Sequence, residues 1–204
     1  VYNANLLVAK LLAQTYGVTG ESRLAEIAYA SVDYCCRRQS EDGSWLYSGD
    51  RYGRWIDSFH TGFNVESIAE YIRCTGDSRF QPNLEQAFGF YLKTFFTEDG
   101  MSAYYSDATF PVDIHSVAQL FSTLCALDVV GSHVGLIRKV LTWTLEHMQD
   151  PGGYFYYQWK PQRTNAVPYM RWSQAWMLYG LTRLQLALMR SEERRVGKEC
   201  ATGC

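Results

Sequence analysis

The stretch Gly43-Ser44-Trp45-Leu46-Tyr47 has two echoes further along the chain: Gly100-Met101-Ser102-Ala103-Tyr104 and Gly152-Gly153-Tyr154-Phe155-Tyr156. Each places a tyrosine four residues after a glycine, at offsets of 57 and then 52 residues. The segments between repeat as well. His60 to Gly76 (HTGFNVESIAEYIRCTG) overlays His115 to Gly131 (HSVAQLFSTLCALDVVG) at an offset of 55. Self-similarity at a fixed period of this size marks stacked supersecondary units.

Hydrophobic periodicity supplies the contents of each unit. Val117, Ala118, Leu120, Phe121, Leu124, Cys125 and Leu127 cover nearly every face of a helix, so that helix is expected to be surrounded by protein. Leu136, Ile137, Val140, Leu141, Leu145 and Met148 fall at spacings of three and four, with Arg138, Lys139 and Glu146 opposite, which predicts a helix with one wet face. Gly76-Asp77 and Gly131-Ser132 read as the stop of the first helix of a pair and the cap of the next. Hairpins of a buried and a half-exposed helix, about fifty residues long, exceed the ~34 residues of a tetratricopeptide unit. They predict an all-α fold, an α/α toroid with inner helices lining a funnel. A closed ring of six such hairpins needs roughly 300 residues. The chain holds about three and a half hairpins of an incomplete ring, the last helix being Ser173 to Met189.

Composition narrows the function classes. With 204 residues, 19 basic and 21 acidic side chains and a net charge of −2, the chain lacks the basic footprint of a nucleic-acid binder. A hydrophobic content of 47% with 15% aromatics excludes a disordered chain. No apolar run reaches the ~20 residues of a membrane span. The six cysteines form no C-x-x-C pair and read as buried free thiols, in keeping with a cytoplasmic location. The first residue is not Met and no leader pattern follows, so the chain reads as a fragment. Residues 191–204 lack apolar periodicity and resemble an adapter-derived read-through (SEERRVGKEC); they are set apart from the toroid domain, residues 1–190.

Gln39-Ser40-Glu41-Asp42-Gly43-Ser44-Trp45 has the Q-x3-G-x-W form of the QW motif of terpenoid cyclases, and Gln149 to Phe155 is a weaker copy, Q-x3-G-x-F. The aspartate-rich DxDD acid motif of squalene-type cyclases is absent, which argues against cyclisation. Three further strings are Trp55-Ile56-Asp57-Ser58-Phe59-His60-Thr61-Gly62-Phe63-Asn64, Pro111-Val112-Asp113-Ile114-His115-Ser116 and Pro168-Tyr169-Met170-Arg171-Trp172-Ser173-Gln174-Ala175-Trp176. They resemble a group of bacterial α/α-toroid proteins found beside capsule and cell-surface polysaccharide genes, often misnamed aminolevulinate dehydratases. That resemblance implies a part in cell-surface polysaccharide metabolism. The dehydratase itself is a TIM barrel with Schiff-base lysines, and no lysine here sits in a barrel-strand context.

In a toroid, the loops entering the inner helices open on the funnel. Those loops carry Trp55, Asp57 and His60, then Asp113 and His115, then Arg171 and Trp172. The 55-residue offset sets His60 and His115 at equivalent points, about 8–10 Å apart on adjacent helices, with Asn64 and Gln119 one turn deeper. Asp57, His60, Asp113, His115 and Arg171 are the candidate catalytic residues; Trp55, Asn64, Tyr104, Gln119, Tyr156 and Trp172 are the candidates for binding substrate. Aromatic faces stack on sugar rings, and paired carboxylates cleave a glycosidic bond by acid and base. A lyase would use His60, His115 or a tyrosine as base, with Arg171 and an amide such as Asn64 or Gln119 neutralising a uronate carboxylate. The expected ligand is therefore a saccharide, with no cofactor and no assigned metal. Three readings compete with it: a zinc site from the two Asp and two His, an isoprenoid cyclase whose aromatics stabilise a cation, and a scaffold without chemistry. In the bland reading the aspartates only cap helices, and Trp45 and Trp143 only fill gaps.

Overall fold

The structure, a computed structural model, describes residues 1–202, with side chains described through Arg190. It is all-α, as expected, and built from paired helices: α1 (Tyr2–Thr19) with α2 (Ser22–Cys36), α3 (Ser58–Thr75) with α4 (Gln81–Phe95), and α5 (Ile114–Ala126) with α6 (Val134–Met148). The last helix, α7 (Trp176–Thr202), runs beyond the expected end at Met189 and is preceded by wide π-helical turns over Met170–Ala175. Two compact units divide the chain, Val1–Thr97 with Ser102–Val112, and Glu98–Met101 with Asp113 onward. No described helix is long and apolar enough to cross a membrane.

In the first unit α1 packs on both α2 and α3, and α3 packs on α4. Glycines in the left-handed conformation end α1 and α3: Gly20 donates its N–H to the Tyr16 carbonyl and Gly76 to that of Ile72. Two rungs join α1 to α3 at a sequence separation of 56, Lys10 to Glu66 (3.4 Å) and Gln14 to Glu70 (2.7 Å). Glu66 is buried, and Lys10 supplies a charged partner for its side chain there. The Arg73 guanidinium holds Glu70 well below the usual carboxylate range, at about 2. Cys35 and Cys36 are buried free thiols, as expected, and burial pushes them up to about 11 and about 12. Cys74 and Cys125 are half-buried. The side chain of Cys200, and the whole of Cys204, lie outside the described residues.

In the second unit every residue of α5 from Ile114 to Leu124 is buried, as the all-round apolar pattern requires. It packs on α6 and α7. A Cβ on Gly180 of α7 would stand 2.8 Å from the Ala118 carbonyl oxygen, so glycine lets the two backbones meet. On α6 the buried face is Ile137, Val140, Trp143, Thr144 and Met148, while Leu145 is exposed. The stop of α5 is not Gly131. The helix ends at Ala126, Asp128 takes the positive φ of 55°, and Gly131 opens a short 3-10 turn.

The turn glycines show which repeat register is real. Positive φ occurs at Gly43 (92°), Gly100 (96°) and Gly153 (91°), not at Gly152. This is the register of the Q-x3-G copies rather than of the glycine-to-tyrosine overlay. Gln39 and Gln149 each donate from Nε2 to the carbonyl of the left-handed glycine four residues on. Trp45 is buried, its Nε1–H donating to the Cys35 carbonyl, and Phe155 is buried in the corresponding place. Both fill the turn, so the structural reading of Trp45 holds.

Candidate functional site

The first helix of each pair receives the same brace. The N–H of Tyr2 donates to the Tyr47 carbonyl, that of Ser58 to Tyr104 and that of Ile114 to Tyr157. The acceptors lie four residues after the three left-handed glycines. The helix starts therefore repeat at 56 residues, and the third acceptor is Tyr157. Tyr156, expected to bind substrate, is one residue out of register. Its hydroxyl instead donates to Asp150 Oδ2 at 3.1 Å within the turn. The backbone N–H of Gly152, with the Tyr156 hydroxyl behind it, holds Asp150 below its ordinary range.

The same 56-residue period places Asp57 and Asp113 in the same role. Both are extended N-cap residues with buried side chains. Asp57 Oδ1 accepts from the backbone N–H of His60, and Asp113 Oδ1 from that of His115, each at 2.9 Å. The cap accounts for one oxygen of each carboxylate. The expected equivalence of His60 and His115 fails in this register, because His60 is the third residue of its helix and His115 the second. One residue on a helix is about 100° of rotation, so the two rings leave different faces. Asn64 and Gln119 lose their equivalence for the same reason.

The second oxygens differ. Asp57 Oδ2 lies 2.7 Å from His60 Nδ1 and accepts from Trp55 Nε1 at 3.0 Å. A carboxylate there selects the Nδ1–H tautomer and leaves Nε2 as the working nitrogen. The His60 side chain retains 21% exposure. The Trp55 ring stacks on Tyr47 (centroids 4.6 Å, planes 12° apart), and Tyr47 leans on His60 at 4.7 Å. Trp55 is 39% exposed and presents an aromatic face beside the Asp57–His60 pair. Asn64 shares a small pocket with Asn3, Tyr47, Asp57 and His60, and its buried Oδ1 has no hydrogen-bond partner among the described residues. Tyr104 packs on Phe59 (5.7 Å) and Tyr105 (4.4 Å), behind the first turn of α3 rather than in this pocket.

Asp113 Oδ2 accepts from Gln158 Nε2 at 2.8 Å. Asp113 is the last residue of β1 (Val112–Asp113) and Gln158 the first of β2 (Gln158–Trp159). The sequence reading missed Gln158, since nothing local ties it to an aspartate 45 residues earlier. His115 is buried and stacks on Trp176 (4.2 Å, 26°), with the half-exposed Trp172 ring at 5.9 Å. Arg171 is exposed, its guanidinium 5.9 Å from the Trp172 ring centre. Gln119 is fully buried and donates to Thr123 Oγ1 at 3.0 Å. Among the described residues no three His, Cys, Asp or Glu side chains converge as metal ligands. Trp143 is buried, with the His147 ring stacked on it (4.4 Å, 10°) and Trp159 edge-on.

No family model matches this sequence, and no curated protein matches it. Solved structures do. The unsaturated glucuronyl hydrolase from Bacillus sp. GL1 is similar with a TM-score of 0.70 at 15% identity, over 90% of this chain and 58% of that one. Cellobiose 2-epimerase from Bacillus thermoamylovorans B4167 has a TM-score of 0.70 at 13% identity, over 91% of this chain and 52% of that one. The family 105 glycoside hydrolase of C. acetobutylicum has a TM-score of 0.69 at 11% identity, over 86% and 55%. The chain has the α/α-toroid fold of these structures and spans between half and three-fifths of their length.

Proposed function

We propose that this chain is a saccharide-active enzyme of the hydrolase or lyase type, with His60 as the proton-transfer group and Asp57 as its orienting carboxylate in the first unit, and with Asp113 of the second unit as a separate candidate acid or base. One observation carries the reading: the 2.7 Å contact of His60 Nδ1 with Asp57 Oδ2, next to a stacked and partly exposed Trp55. The contact fixes one nitrogen, so Nε2 is held ready to give or take a proton. The flat Trp55 face supplies the apolar contact that a sugar ring prefers. Similar solved structures named for glucuronyl hydrolysis, polysaccharide lysis and cellobiose epimerisation support a saccharide as the ligand class.

As a hydrolase, the site protonates the glycosidic oxygen while a carboxylate activates water or attacks the anomeric carbon. As a lyase, His60 Nε2 removes the proton next to a uronate carboxylate. The electron pair forms a ring double bond as the glycosidic bond breaks, and the leaving oxygen takes back the proton held on His60. The resemblance to capsule-linked proteins supports a cell-surface polysaccharide or its precursor as the polymer, and the buried free thiols support the cytoplasm as the place. The activity is assigned to residues 1–190, with no part given to 191–204. The test is incubation of the full-length chain with neutral and uronate oligosaccharides. New reducing ends alone mean hydrolysis; ultraviolet absorbance of an unsaturated uronate means elimination. A sugar epimerised without cleavage would replace both reaction types. No turnover of any saccharide, with the chain folded, would overturn the reading.

A further inference from the structure

The loop from Gln158 to Tyr169 encloses a half-open cavity of about 610 Å³, lined by Gln158, Lys160, Arg163, Thr164, Asn165 and Tyr169 among others. Its shape is fixed by the backbone. Gln158 and Asn165 pair across an antiparallel bridge, with N–H donors at 2.8 and 3.3 Å in the two directions. The intervening turn is closed by the Arg163 N–H on the Lys160 carbonyl at 3.2 Å. Pro161 occupies the second position of that turn, where its fixed φ belongs. Lys160 and Arg163 are thus the corners of one β-turn, with Cα atoms within about 7 Å of each other.

Neither cation forms an ion pair with a described residue. Two positive charges held at one turn repel each other unless an anion lies between them. Exposed basic residues usually form no more than a solvated surface. Here they share a concave wall with amide and hydroxyl donors, which is what recognition of an oxyanion needs. Gln158 lines this cavity and also donates to Asp113 Oδ2. An oxyanion in the cavity therefore sits one side chain away from the Asp113 carboxylate.

We infer that Lys160 and Arg163 form an anion subsite that selects saccharides carrying a carboxylate or a sulfate ester, and that Gln158 couples this subsite to Asp113. This rests on the saccharide reading and specifies its substrate class. It also differs from the sequence expectation, which gave the anion to Arg171 with Asn64 or Gln119; none of the three lines the cavity.

The test is calorimetric binding to the full-length chain of three matched oligosaccharides: a uronate oligomer, its carboxyl-reduced neutral counterpart and a sulfated form of the neutral one. The expected result is tighter binding of at least one anionic oligomer by about 10- to 100-fold, lost in Lys160→Gln/Arg163→Gln and weakened by added salt. Both side chains are exposed and form no ion pair with a described residue, so the variant is expected to melt like the parent. Whichever anionic oligomer carries the preference identifies carboxylate or sulfate. Equal affinity for anionic and neutral forms, or a preference untouched by the double variant, overturns the anion subsite and leaves the saccharide reading standing. Failure of all three to bind overturns both.

Discussion

The first turns of α3 and α5 begin with the same cap and put it to different use. At Asp57 the spare carboxylate oxygen is shared by Trp55 Nε1 and His60 Nδ1, both within three residues in sequence. At Asp113 it takes the amide of Gln158, from a different part of the chain. The first arrangement makes a carboxylate–imidazole pair beside an aromatic face; the second makes a neutral amide brace beside a cationic loop. A repeat thus duplicates the cap, which helix formation requires, and leaves the second oxygen free to diverge.

The largest effects are expected from Asp57→Asn and Asp113→Asn. Asparagine caps a helix about as well as aspartate, so melting should move by no more than ~1 kcal/mol. Loss of the carboxylate should lower turnover by about 10³-fold in each case, within the range for groups that take part in acid–base catalysis. Nitrogen NMR of His60 separates the two sites: Asp57→Asn should mix its tautomers, and Asp113→Asn should leave them alone. A fixed tautomer in both variants would end the distinction drawn here.

His60→Ala and His115→Ala should split along different axes. The first is expected to cost about 10³-fold in turnover, as much as loss of its orienting carboxylate, with little change in stability. The second empties a buried site stacked on Trp176 and should cost about 2–3 kcal/mol of stability. Denaturant titration read beside initial rates resolves them, and the reverse pattern would exchange their roles.

Gln158→Ala should lower turnover by about 10-fold, since a charge-assisted hydrogen bond to Asp113 is worth ~1.5 kcal/mol or more. It should also weaken selection of anionic oligomers. Trp55→Phe removes the Nε1 donor and keeps the stack on Tyr47. The expected loss is about three-fold in turnover, the cost of one modest hydrogen bond. A loss as large as that of Asp57→Asn would mean that Trp55, not His60, governs the state of the carboxylate.

The paired helices and the caps were legible in the sequence because helix periodicity and turn glycines are local signals. The register was not fully so. Adjacent Gly152 and Gly153 offered two alignments, and only the brace from Ile114 to Tyr157 decides between them. Aligning on histidine gave 55, because His60 and His115 stand three and two residues after their caps. The Asp57 cluster lies within a few residues of sequence, which is why Trp55, Asp57 and His60 could be singled out together. The Gln158–Asp113 bond and the Lys160–Arg163 turn were not, since a contact spanning 45 residues leaves no periodic trace.

The turn glycines have a further consequence, for how order spreads through the chain. A Cβ on Gly43 would fall 2.4 Å from the Gln86 carbonyl oxygen on α4, and one on Gly100 as close to Lys139 on α6, while at Gly153 nothing stands within 4 Å. The turn that follows α2 is thus seated on α4, and the turn that follows α4 on α6. Each clasp closes only when a later segment has arrived, as in a zip whose teeth belong to alternate sides. Substituting alanine at Gly153 measures the backbone penalty alone. The excess cost at Gly43 or Gly100 then measures how strongly one tooth waits for the next.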